Sequence, residues 1–487
     1  MKTAKQYIDS LSKLHSDIFL LGKKVDDWVN NPIIRPSINA VAMTYKIAGE
    51  PENINLATTS SQLTGQKANR FNSLFMSTDD LVNKIKMQRL LGQRTACCFQ
   101  RCVGMDAINA VYSTTYEIDG KYKTEYHNRF KEWLKYVQEN DLCVAGAMTD
   151  VKGNRGIAPS EQADPDMFIH VVERRKDGIV IRGAKASQTG SANAHEQLLM
   201  PTLRMREPDK DYAVSCAVPT DAEGVILVYG RQSCDTRKLE DGDIDVGNYN
   251  FGGQETLTIY NNVFVPWERV FMCGEYDFSI MMVERFAAYH RQSYGGCKPG
   301  IGDVLIGAAA SMADYNGTRK AAHIKEKLGE IIHLCETMYS CGLACSYEGK
   351  KTPAGNFQVD TLLANICKHN VTRFPYEMCR LAEDISGGLL VTLPSEADLR
   401  HPQIGTYVDK YLRGVADIPT EARFRMLTLI HAMAFGLTAP SYRTESLHGA
   451  GSPQAQKIMI ERETDMEAKQ KFARSISGID EREDPYA

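Results

Sequence analysis

Two cysteines four residues apart, Cys98 and Cys102, are the first candidates for chemistry in this chain. On a helix, this spacing would place both sulfur atoms on one face, about one turn apart. A segment far downstream supplies an imidazole and another thiol, at His290 and Cys297. The three thiols and the imidazole form a set of four ligands that suits zinc or an iron–sulfur cluster.

The cysteine pair also has a purely structural interpretation, because isolated cysteines are mostly small buried hydrophobic side chains. The spacing of four recurs at Cys341 and Cys345. The neighbouring Cys97 would replace Cys98 as a ligand if the helix were rotated. Since a helix turns by about 100° per residue, Cys98 aligns better with Cys102 and is the favoured ligand.

Three stretches rich in glycine and polar residues are candidates for binding a ligand. They are residues 148–156, 183–191 and 252–255. Backbone amides in such loops can hold phosphate or the pyrimidine edge of a flavin, with Arg155 and Lys185 as charge partners. Each stretch is equally compatible with an ordinary turn. The chain has no G-x-G-x-x-G motif opening a helix after a strand and no P-loop motif, which argues against those two nucleotide sites.

A fourth candidate stretch covers residues 442–456. It combines Arg443, Glu445 and His448 with two glycines and has little apolar content. A solvated loop is the alternative interpretation of this composition.

The composition is that of an ordinary globular protein, with 43% hydrophobic and 24% charged residues. The formal net charge of −4 gives no basic footprint for nucleic acid. The sequence contains no apolar run of about 18 residues, so no membrane span is predicted. The N-terminus lacks the apolar core of a signal peptide. The 13 cysteines are therefore expected to be reduced thiols, and we expect a cytoplasmic enzyme.

The elements that must position these residues follow the order helices, strands, helices. The length of 487 residues predicts about three domains, which we place at residues 1–140, 141–275 and 276–487. In the first domain, Thr78 is the predicted N-terminal cap of a helix. In the last, amphipathic stretches at 304–315, 319–346, 359–385 and 420–437 with short links predict a helical bundle.

The middle segment is predicted to be made of short strands. Residues 168–172 and 179–182 flank an Asp-Gly pair at Asp177 and Gly178, which is typical of a β-hairpin turn. Further strand-like runs cover 212–218, 225–229 and 255–265. Short strands at this density predict a compact antiparallel barrel or sandwich.

Taken together, these residues resemble the 4-hydroxybutyryl-CoA dehydratase (vinylacetyl-CoA Δ-isomerase) family over nearly the whole chain. The resemblance is carried by residues 87–105, 148–160, 186–191, 285–298 and 442–456, and it is most specific in Arg285-Phe-Ala-Ala-Tyr-His-Arg-Gln-Ser-Tyr-Gly-Gly-Cys297. The wider group is that of the flavin-dependent 4-hydroxyphenylacetate 3-monooxygenases. The resemblance implies an α+β, mostly α, acyl-CoA dehydrogenase-like fold: an N-terminal helical domain, a small antiparallel β-barrel domain and a C-terminal four-helix bundle.

The resemblance also implies the cofactors and the residues of the site. It implies a 4Fe-4S cluster on Cys98, Cys102, His290 and Cys297. It implies FAD between the cluster and the barrel, and a homotetramer with active sites between subunits. The implied catalytic residues are Glu445, Glu255, Tyr294 and Lys298, and we add His290 as a candidate base because it lies beside the implied cluster. The implied FAD-binding residues are Thr149, Asp150, Lys152, Asn154, Arg155, Gly156, Gln188, Thr189, Gly190 and Ser191.

The implied reaction converts 4-hydroxybutyryl-CoA to crotonyl-CoA and water, with vinylacetyl-CoA isomerase activity. The hydrogen that must leave is on the unactivated β carbon, so an acid–base pair alone does not suffice and one-electron flavin chemistry is expected. In our hypothesis Glu445 removes the α proton, His290 removes the β proton, and iron acts as a Lewis acid for the hydroxyl. Glu255, Tyr294 and Lys298 orient or protonate the leaving oxygen.

Two alternatives predict different cofactors. An FAD-dependent hydroxylase of the 4-hydroxyphenylacetate 3-monooxygenase type needs no cluster, so the four ligand residues argue against it. A zinc-stapled helical scaffold without catalysis would be colourless, whereas flavin and iron–sulfur clusters absorb visible light.

Overall fold

A computed structural model describes residues 1–240, 242–248 and 250–480 of the chain. The last seven positions of the predicted third domain lie outside the described residues. The helices of the described chain are α1 Ala4–Leu11, α2 Arg35–Ala48, α3 Ile54–Ala57, α4 Thr78–Thr95, α5 Cys102–Tyr122, α6 Tyr126–Glu139, α7 Ser279–Tyr315, α8 Ala322–Tyr347, α9 Thr361–Val371, α10 Phe374–Ser386, α11 Leu389–Thr392, α12 Glu396–Arg400, α13 Gly405–Leu412, α14 Thr420–Ala434, α15 Glu445–His448, α16 Pro453–Glu463 and α17 Met466–Ser477.

The strands lie mostly between α6 and α7. They are β1 Asp17–Leu20, β2 Lys23–Lys24, β3 Thr58–Ser60, β4 Lys67–Asn69, β5 Val144–Ala147, β6 His170–Arg174, β7 Gly178–Thr189, β8 Glu196–Leu199, β9 Val214–Pro219, β10 Val225–Tyr229, β11 Glu255–Pro266, β12 Val270–Cys273, β13 Lys350–Lys351 and β14 Phe357–Gln358. A six-stranded sheet has the order β2-β1-β10-β11-β7-β6, and a four-stranded sheet has the order β12-β9-β8-β5. The described chain is therefore a mixed α+β fold dominated by helices, as the sequence predicts.

The predicted hairpin is present as β6 and β7. These strands pair antiparallel, with His170 opposite Arg182 and Arg174 opposite Ile179. The long β7 continues along β11, so that Glu255 lies opposite Thr189. Two pairings, β1 with β10 and β5 with β8, are parallel rather than antiparallel. The strands thus form two sheets with mixed pairing, and the closed antiparallel barrel stays a prediction.

The N-terminal segment is not wholly helical, contrary to the sequence prediction. Its strand β1 pairs with β10 from the middle of the chain, with Asp17 opposite Ile226. The burial of β1 alternates, and Ile18 and Leu20 face the core. Such a short strand is stabilised by a partner that is distant in sequence, so local periodicity does not reveal it.

The prediction that Cys98 and Cys102 lie on one helix is wrong. Helix α4 begins after the N-cap Ser77, whose hydroxyl accepts from the amide of Asp80, one residue before the predicted cap. It ends where Ala96 adopts a left-handed conformation with φ 50°. Helix α5 begins at Cys102 itself, so Cys98 lies in the connection between the two helices, referred to below as the cysteine loop (residues 96–101).

Helix α7 is the central helix of the C-terminal half, and its glycines bring neighbouring helices very close. A Cβ atom at Gly300 would lie 2.1 Å from the carbonyl oxygen of Arg89 in α4. A Cβ atom at Gly295 would lie 2.6 Å from the Cα atom of Gly342 in α8. Only glycine permits such contact between backbones, and the contacts fix α7 against both α4 and α8.

The C-terminal helices follow the predicted stretches with one interruption. The stretch 359–385 is divided into α9 and α10 at Thr372 and Arg373, because Pro375 lies in the first turn of α10. Residues Pro440–Thr444 form a turn of π-helix that leads into α15. Among the described helices, none is both long and apolar enough to cross a membrane.

Candidate active site

Three of the four predicted metal ligands are buried thiols contributed by two parts of the chain. Cys98 comes from the cysteine loop, Cys102 from the first residue of α5 and Cys297 from α7. A hydrogen bond with Cys98, together with burial, raises the pKa of Cys102 well above its ordinary value. Burial raises the pKa of Cys297 to about 12, and Cys98 adds to this rise. The fold therefore gathers these three thiols at one place.

The cysteine loop owes its shape to two buried side chains. Gln100 has a positive φ of 68°, and its amide nitrogen donates to the carbonyl oxygens of Ser37 and Gly252. The guanidinium of Arg101 lies over the rings of Tyr45 and Phe71, at 4.4 and 4.9 Å from their centroids. These contacts stabilise a backbone that non-glycine residues rarely adopt.

The alternative ligand Cys97 is turned into the protein. Its sulfur donates to the carbonyl oxygen of Cys98 at 3.7 Å, and its side chain has no exposed surface. Cys98, by contrast, hydrogen-bonds with Cys102. The geometry therefore favours Cys98 over Cys97 as the partner of Cys102.

In the described chain, no three of the four predicted ligand atoms are as close together as they would be around a bound zinc ion. Within the described ranges, no three of these atoms lie within 4.8 Å of one another. A tetrahedral zinc site with Zn–S bonds of about 2.3 Å would bring its ligand atoms closer than that. Thiols and an imidazole are ligand types that zinc and iron–sulfur clusters both take.

The fourth predicted ligand, His290, lies on α7 with its ring orientation fixed. Its Nδ1 atom lies 2.8 Å from Oδ2 of the fully buried Asp106. The ring stacks on Phe286 and meets the ring of Tyr294 edge-on. Burial alone would raise the pKa of Asp106, but Lys84 and His290 outweigh burial and leave it below its ordinary value.

A second group of predicted residues surrounds Glu445 at the start of α15. The hydroxyl of Tyr294 donates to Oε1 of Glu445 at 3.4 Å, and Nζ of Lys298 lies 3.3 Å from Oε2. Lys298 also donates to the carbonyl oxygen of Ser441. Burial lowers the pKa of Lys298, but Glu445 and Cys297 outweigh burial and raise it above its ordinary value. The four catalytic candidates Tyr294, Lys298, Glu445 and Glu255 are thus electrostatically coupled to the thiols or to one another.

Glu255 lies at the beginning of β11, half-buried and close to the same group. Its Oε1 atom accepts a hydrogen bond from the hydroxyl of Thr189 at 2.7 Å. Burial and the negative charge of Glu445 raise the pKa of Glu255 to about 8, against the lowering effects of Thr189 and Lys298. At neutral pH most of this carboxyl group is therefore protonated and can donate a proton.

The predicted flavin residues divide into a buried group and an exposed group. In the buried group, the side chain of Gln188 donates to the carbonyl oxygen of Thr149, and Gly190 lies against Gln100 of the cysteine loop. Next to them, the hydroxyl of Ser191 and both amide atoms of Gln254 are buried without a hydrogen-bond partner. Orphaned polar atoms of this kind fit the edge of a polar heterocycle that would satisfy them.

In the exposed group, Lys152, Asn154, Arg155 and Gly156 lie in a loop. The backbone and side chain of Asn154 form hydrogen bonds with Gln162 and Gly156 rather than with the buried group around Gln188.

Lys185 is not available as a charge partner for phosphate, contrary to the sequence interpretation. Its ammonium group is buried and donates to Asp150 and to the carbonyl oxygens of Met148 and Met200. Asp150 is occupied by this ion pair in turn. Both residues therefore fix the shape of the loop 148–156 instead of offering a free charge.

Sequence reasoning missed several residues of the site. Asp106 and Lys84 were overlooked because a charged residue in an amphipathic helix is normally assigned to its polar face. Lys368 was overlooked for the same reason, and its Nζ atom lies 4.1 Å from the ring centroid of Tyr294. Burial, followed by the charge of Lys298, lowers the pKa of Lys368 well below its ordinary value.

The segment 442–456 is mostly ordered helix rather than a solvated loop. A Cβ atom on Gly449 would lie 1.8 Å from the hydroxyl oxygen of Tyr294, so this glycine directly faces the site. Arg443 and His448 point elsewhere: Arg443 donates to the carbonyl oxygen of Ala434, and His448 is exposed.

Two family models match the chain. The 4-hydroxyphenylacetate 3-hydroxylase N terminal model covers residues 3–272, and the C terminal model of the same name covers residues 280–478. The chain therefore belongs to the 4-hydroxyphenylacetate 3-hydroxylase family. The oxygenase component of 4-hydroxyphenylacetate 3-monooxygenase from Thermus thermophilus is 26% identical over 91% of this chain and 90% of its own.

A much higher similarity links the chain to one branch of this family. The 4-hydroxybutyryl-CoA dehydratase/vinylacetyl-CoA-Delta-isomerase of Clostridium aminobutyricum is 60% identical over 98% of this chain and 100% of its own. The solved structure of an oxygen-tolerant archaeal 4-hydroxybutyryl-CoA dehydratase from N. maritimus aligns with a TM-score of 0.96 and 53% identity, over 99% of this chain and 96% of that one. The resemblance to the dehydratase branch is thus confirmed.

Proposed function

We propose that this protein dehydrates 4-hydroxybutyryl-CoA to crotonyl-CoA and water and isomerises vinylacetyl-CoA to crotonyl-CoA. The identity of 60% over the whole chain to an enzyme with these two names supports the proposal. The observation that carries it is structural: the three thiols lie beside the Tyr294–Lys298–Glu445 group, although distant segments supply them. A site that joins soft metal ligands to acid–base groups suits metal-assisted elimination of a hydroxyl group.

We propose that FAD and a 4Fe-4S cluster are the cofactors of this reaction. Cys98, Cys102, Cys297 and His290 would hold the cluster, because thiolates and imidazoles are the ligand types that iron–sulfur clusters take. Ser191 and Gln254, with their orphaned polar atoms, would contact the flavin together with Gln188 and Gly190. When bound, these groups supply one-electron chemistry and a Lewis-acidic iron.

Glu445 is the proposed base for the α proton of the thioester. Its two oxygens lie near the hydroxyl of Tyr294 and the ammonium of Lys298, which orient the carboxylate. The α proton is acidified by the adjacent thioester carbonyl, so a positioned carboxylate can remove it.

Glu255 is the proposed proton donor to the departing hydroxyl group. A hydroxyl leaves far more easily as water than as hydroxide, so an acid that is protonated at neutral pH is required. Its pKa of about 8 gives Glu255 this form, while Thr189 fixes the position of Oε1. The imidazole of His290 is the proposed base for the β proton: with Nδ1 engaged by Asp106, Nε2 would accept the proton when it is displaced from the iron.

Assembly and location complete the proposal. We infer a homotetramer with sites between subunits and a cytoplasmic enzyme that acts on acyl-CoA thioesters. Light scattering of the purified protein tests the tetramer directly, since a monomer in solution would contradict it.

Anaerobic purification followed by a visible spectrum and iron and sulfide analysis tests the function. We expect about four iron and four sulfide per chain with a flavin band, and formation of crotonyl-CoA from 4-hydroxybutyryl-CoA. Flavin without iron, together with hydroxylation of 4-hydroxyphenylacetate when reduced flavin and oxygen are supplied, would replace the proposal by a hydroxylase. Colourless protein with bound zinc would replace it by a structural scaffold.

A further inference from the structure

Three helices meet at a buried ion pair directly behind His290. Nζ of Lys84 in α4 lies 2.6 Å from Oδ1 of Asp106 in α5, and neither side chain has exposed surface. Oδ2 of Asp106 lies 2.8 Å from Nδ1 of His290 in α7 and accepts from the hydroxyl of Ser293 at the same distance. A buried charge pair with this many partners is costly to assemble, so its arrangement is specific.

Lys84 is held by an ion pair and two hydrogen bonds. Its ammonium lies beside Asp106 and donates to the carbonyl oxygen of Tyr289 at 2.9 Å and to the side-chain oxygen of Gln292 at 2.8 Å. Both of these acceptors flank His290 in α7. The ammonium therefore has a fixed position, and it keeps Asp106 in the ionised form that can only accept hydrogen bonds.

The geometry points to Asp106 as the positioning residue that sets the tautomer of His290, with Lys84 holding the carboxylate in place. An ionised carboxylate beside Nδ1 requires a proton on Nδ1, and this leaves the lone pair of the imidazole on Nε2. Nε2 is then the only ring nitrogen able to bind iron or accept a proton. The inference rests on the proposed function only for the identity of the metal.

The same contacts set the register between the two halves of the ligand set. Cys98 belongs to the cysteine loop and Cys102 to the start of α5, whereas His290 and Cys297 belong to α7. The Lys84–Asp106–His290 chain crosses from the first pair of helices to α7 through an ion pair and a hydrogen bond. Groups placed behind metal-bound histidines commonly act in this way, and their removal costs about 10–100-fold in affinity or activity.

The test uses full-length protein labelled with ¹⁵N-histidine and studied by solid-state NMR. The signals of His290 are assigned as those present in the wild-type spectrum and absent from the spectrum of the His290→Gln variant. We expect a proton on Nδ1 in the wild type. In Asp106→Asn, the amide oxygen stays with Lys84 and the amide nitrogen turns to His290, so we expect the proton to move to Nε2.

A matched control is Ser293→Ala, which removes a hydrogen bond to the same oxygen but leaves the Nδ1 contact. We expect it to keep the Nδ1 proton, the iron content and the imidazole hyperfine coupling of the reduced protein. Asp106→Asn is expected to lose that coupling and about 10–100-fold in activity. A wild-type proton on Nε2, or a proton that stays on Nδ1 in Asp106→Asn, would overturn the inference.

The wild-type measurement is decisive even if Asp106→Asn does not fold. It is also separate from the proposed function, because it detects the proton on the ring whether or not the protein turns over a CoA thioester. Expected NMR signals in a protein without dehydratase activity would contradict the function and leave the positioning role intact.

Discussion

Glu255 and Glu445 illustrate how one site can hold two carboxyl groups in different surroundings. Glu445 lies beside the ammonium of Lys298 and the hydroxyl of Tyr294. Glu255 has the hydroxyl of Thr189 as a neighbour, and burial raises its pKa first, followed by repulsion from Glu445. Environments that separate two carboxyl groups in this way commonly separate the roles of acid and base.

The raised pKa of Glu255 predicts a pH limit on catalysis. The group is protonated below about pH 8 and loses its proton above it, so kcat/KM should fall on the alkaline side of about 8. The hydrogen bond from Thr189 lowers this pKa, and Thr189→Val should therefore move the alkaline limb to higher pH. Rate profiles between pH 6 and 10, with flavin content as a control, measure both effects. An unchanged limb in Thr189→Val would contradict the assignment of Glu255.

A substitution at Gly449 tests whether the position of Tyr294 matters for the reaction. Its φ of −59° is open to any residue, yet a Cβ atom there would lie 1.8 Å from the hydroxyl oxygen of Tyr294. Gly449→Ala should displace the tyrosine and lower kcat by about 100-fold or more, in line with small misplacements of catalytic groups. Gly120→Ala, where no atom lies within 4 Å of the added carbon, is the matched control and should keep full activity. Equal activity of the two variants would show that Tyr294 does not act in the reaction.

At the scale of elements, the close crossing of α4 and α7 determines where Cys297 lies relative to the cysteine loop. A Cβ atom on Gly92 would lie 2.8 Å from the carbonyl oxygen of Cys297, and Gly300 meets Arg89 in the same way. Contacts between backbones leave no side chain that could move aside. The position of Cys297 relative to the cysteine loop is therefore set by glycine positions.

Gly300→Ala is predicted to separate these helices. Overpacking against backbone atoms should lower the free energy of unfolding by about 3 kcal/mol and reduce bound iron. Gly307→Ala, in the same helix but exposed with open space around it, should instead stabilise the protein by roughly 0.5–1 kcal/mol. Denaturant unfolding and iron analysis of both variants measure the difference. Similar behaviour of the two would contradict a close crossing at Gly300.

Local patterns predicted the elements better than the connections between them. The hairpin of β6 and β7 was predicted because Asp177 and Gly178 carry the conformational information in the turn itself. The break between α4 and α5 was not predicted, because Ala96 and Gln100 adopt positive φ without being glycine. Tertiary contacts of Gln100 and Arg101 stabilise that break, and such contacts are invisible to periodicity.

In the candidate site, too, local sequence motifs were predicted, whereas contacts between distant segments were not. Motif resemblance indicated the thiols, His290, Tyr294, Lys298 and both glutamates, which are the residues proposed to carry the chemistry. It did not indicate Asp106, Lys84 or Lys368, which contact other side chains of the candidate site. Their partners lie on other helices, so their roles follow only from the packing of α4, α5, α7 and α9.

At the scale of the whole molecule, the two matched family segments meet inside one site. The N-terminal segment, matched over residues 3–272, supplies Cys98, Cys102 and Glu255, whereas the C-terminal segment supplies His290, Cys297 and Glu445. Helix α4 of the first segment buries Leu81, Ile85 and Leu91, and α7 of the second lies across it. We therefore predict that the boundary near residue 276 is a change of secondary structure within one packed unit rather than a division between independent units.

Separate expression of residues 1–277 and 278–487 tests this interdependence. Each fragment would expose one side of the α4–α7 contact, where every large apolar side chain contributes about 1.5–3 kcal/mol when buried. The first fragment would keep Lys84 and Asp106 but lack His290, and the second would keep His290 but lack both of the other residues. We therefore expect neither fragment alone to unfold cooperatively or to retain iron, and we expect co-expression to restore both properties. Thermal unfolding followed by circular dichroism, with iron analysis, measures this. A sharp transition in one isolated fragment near that of the intact chain would show that the two segments fold independently.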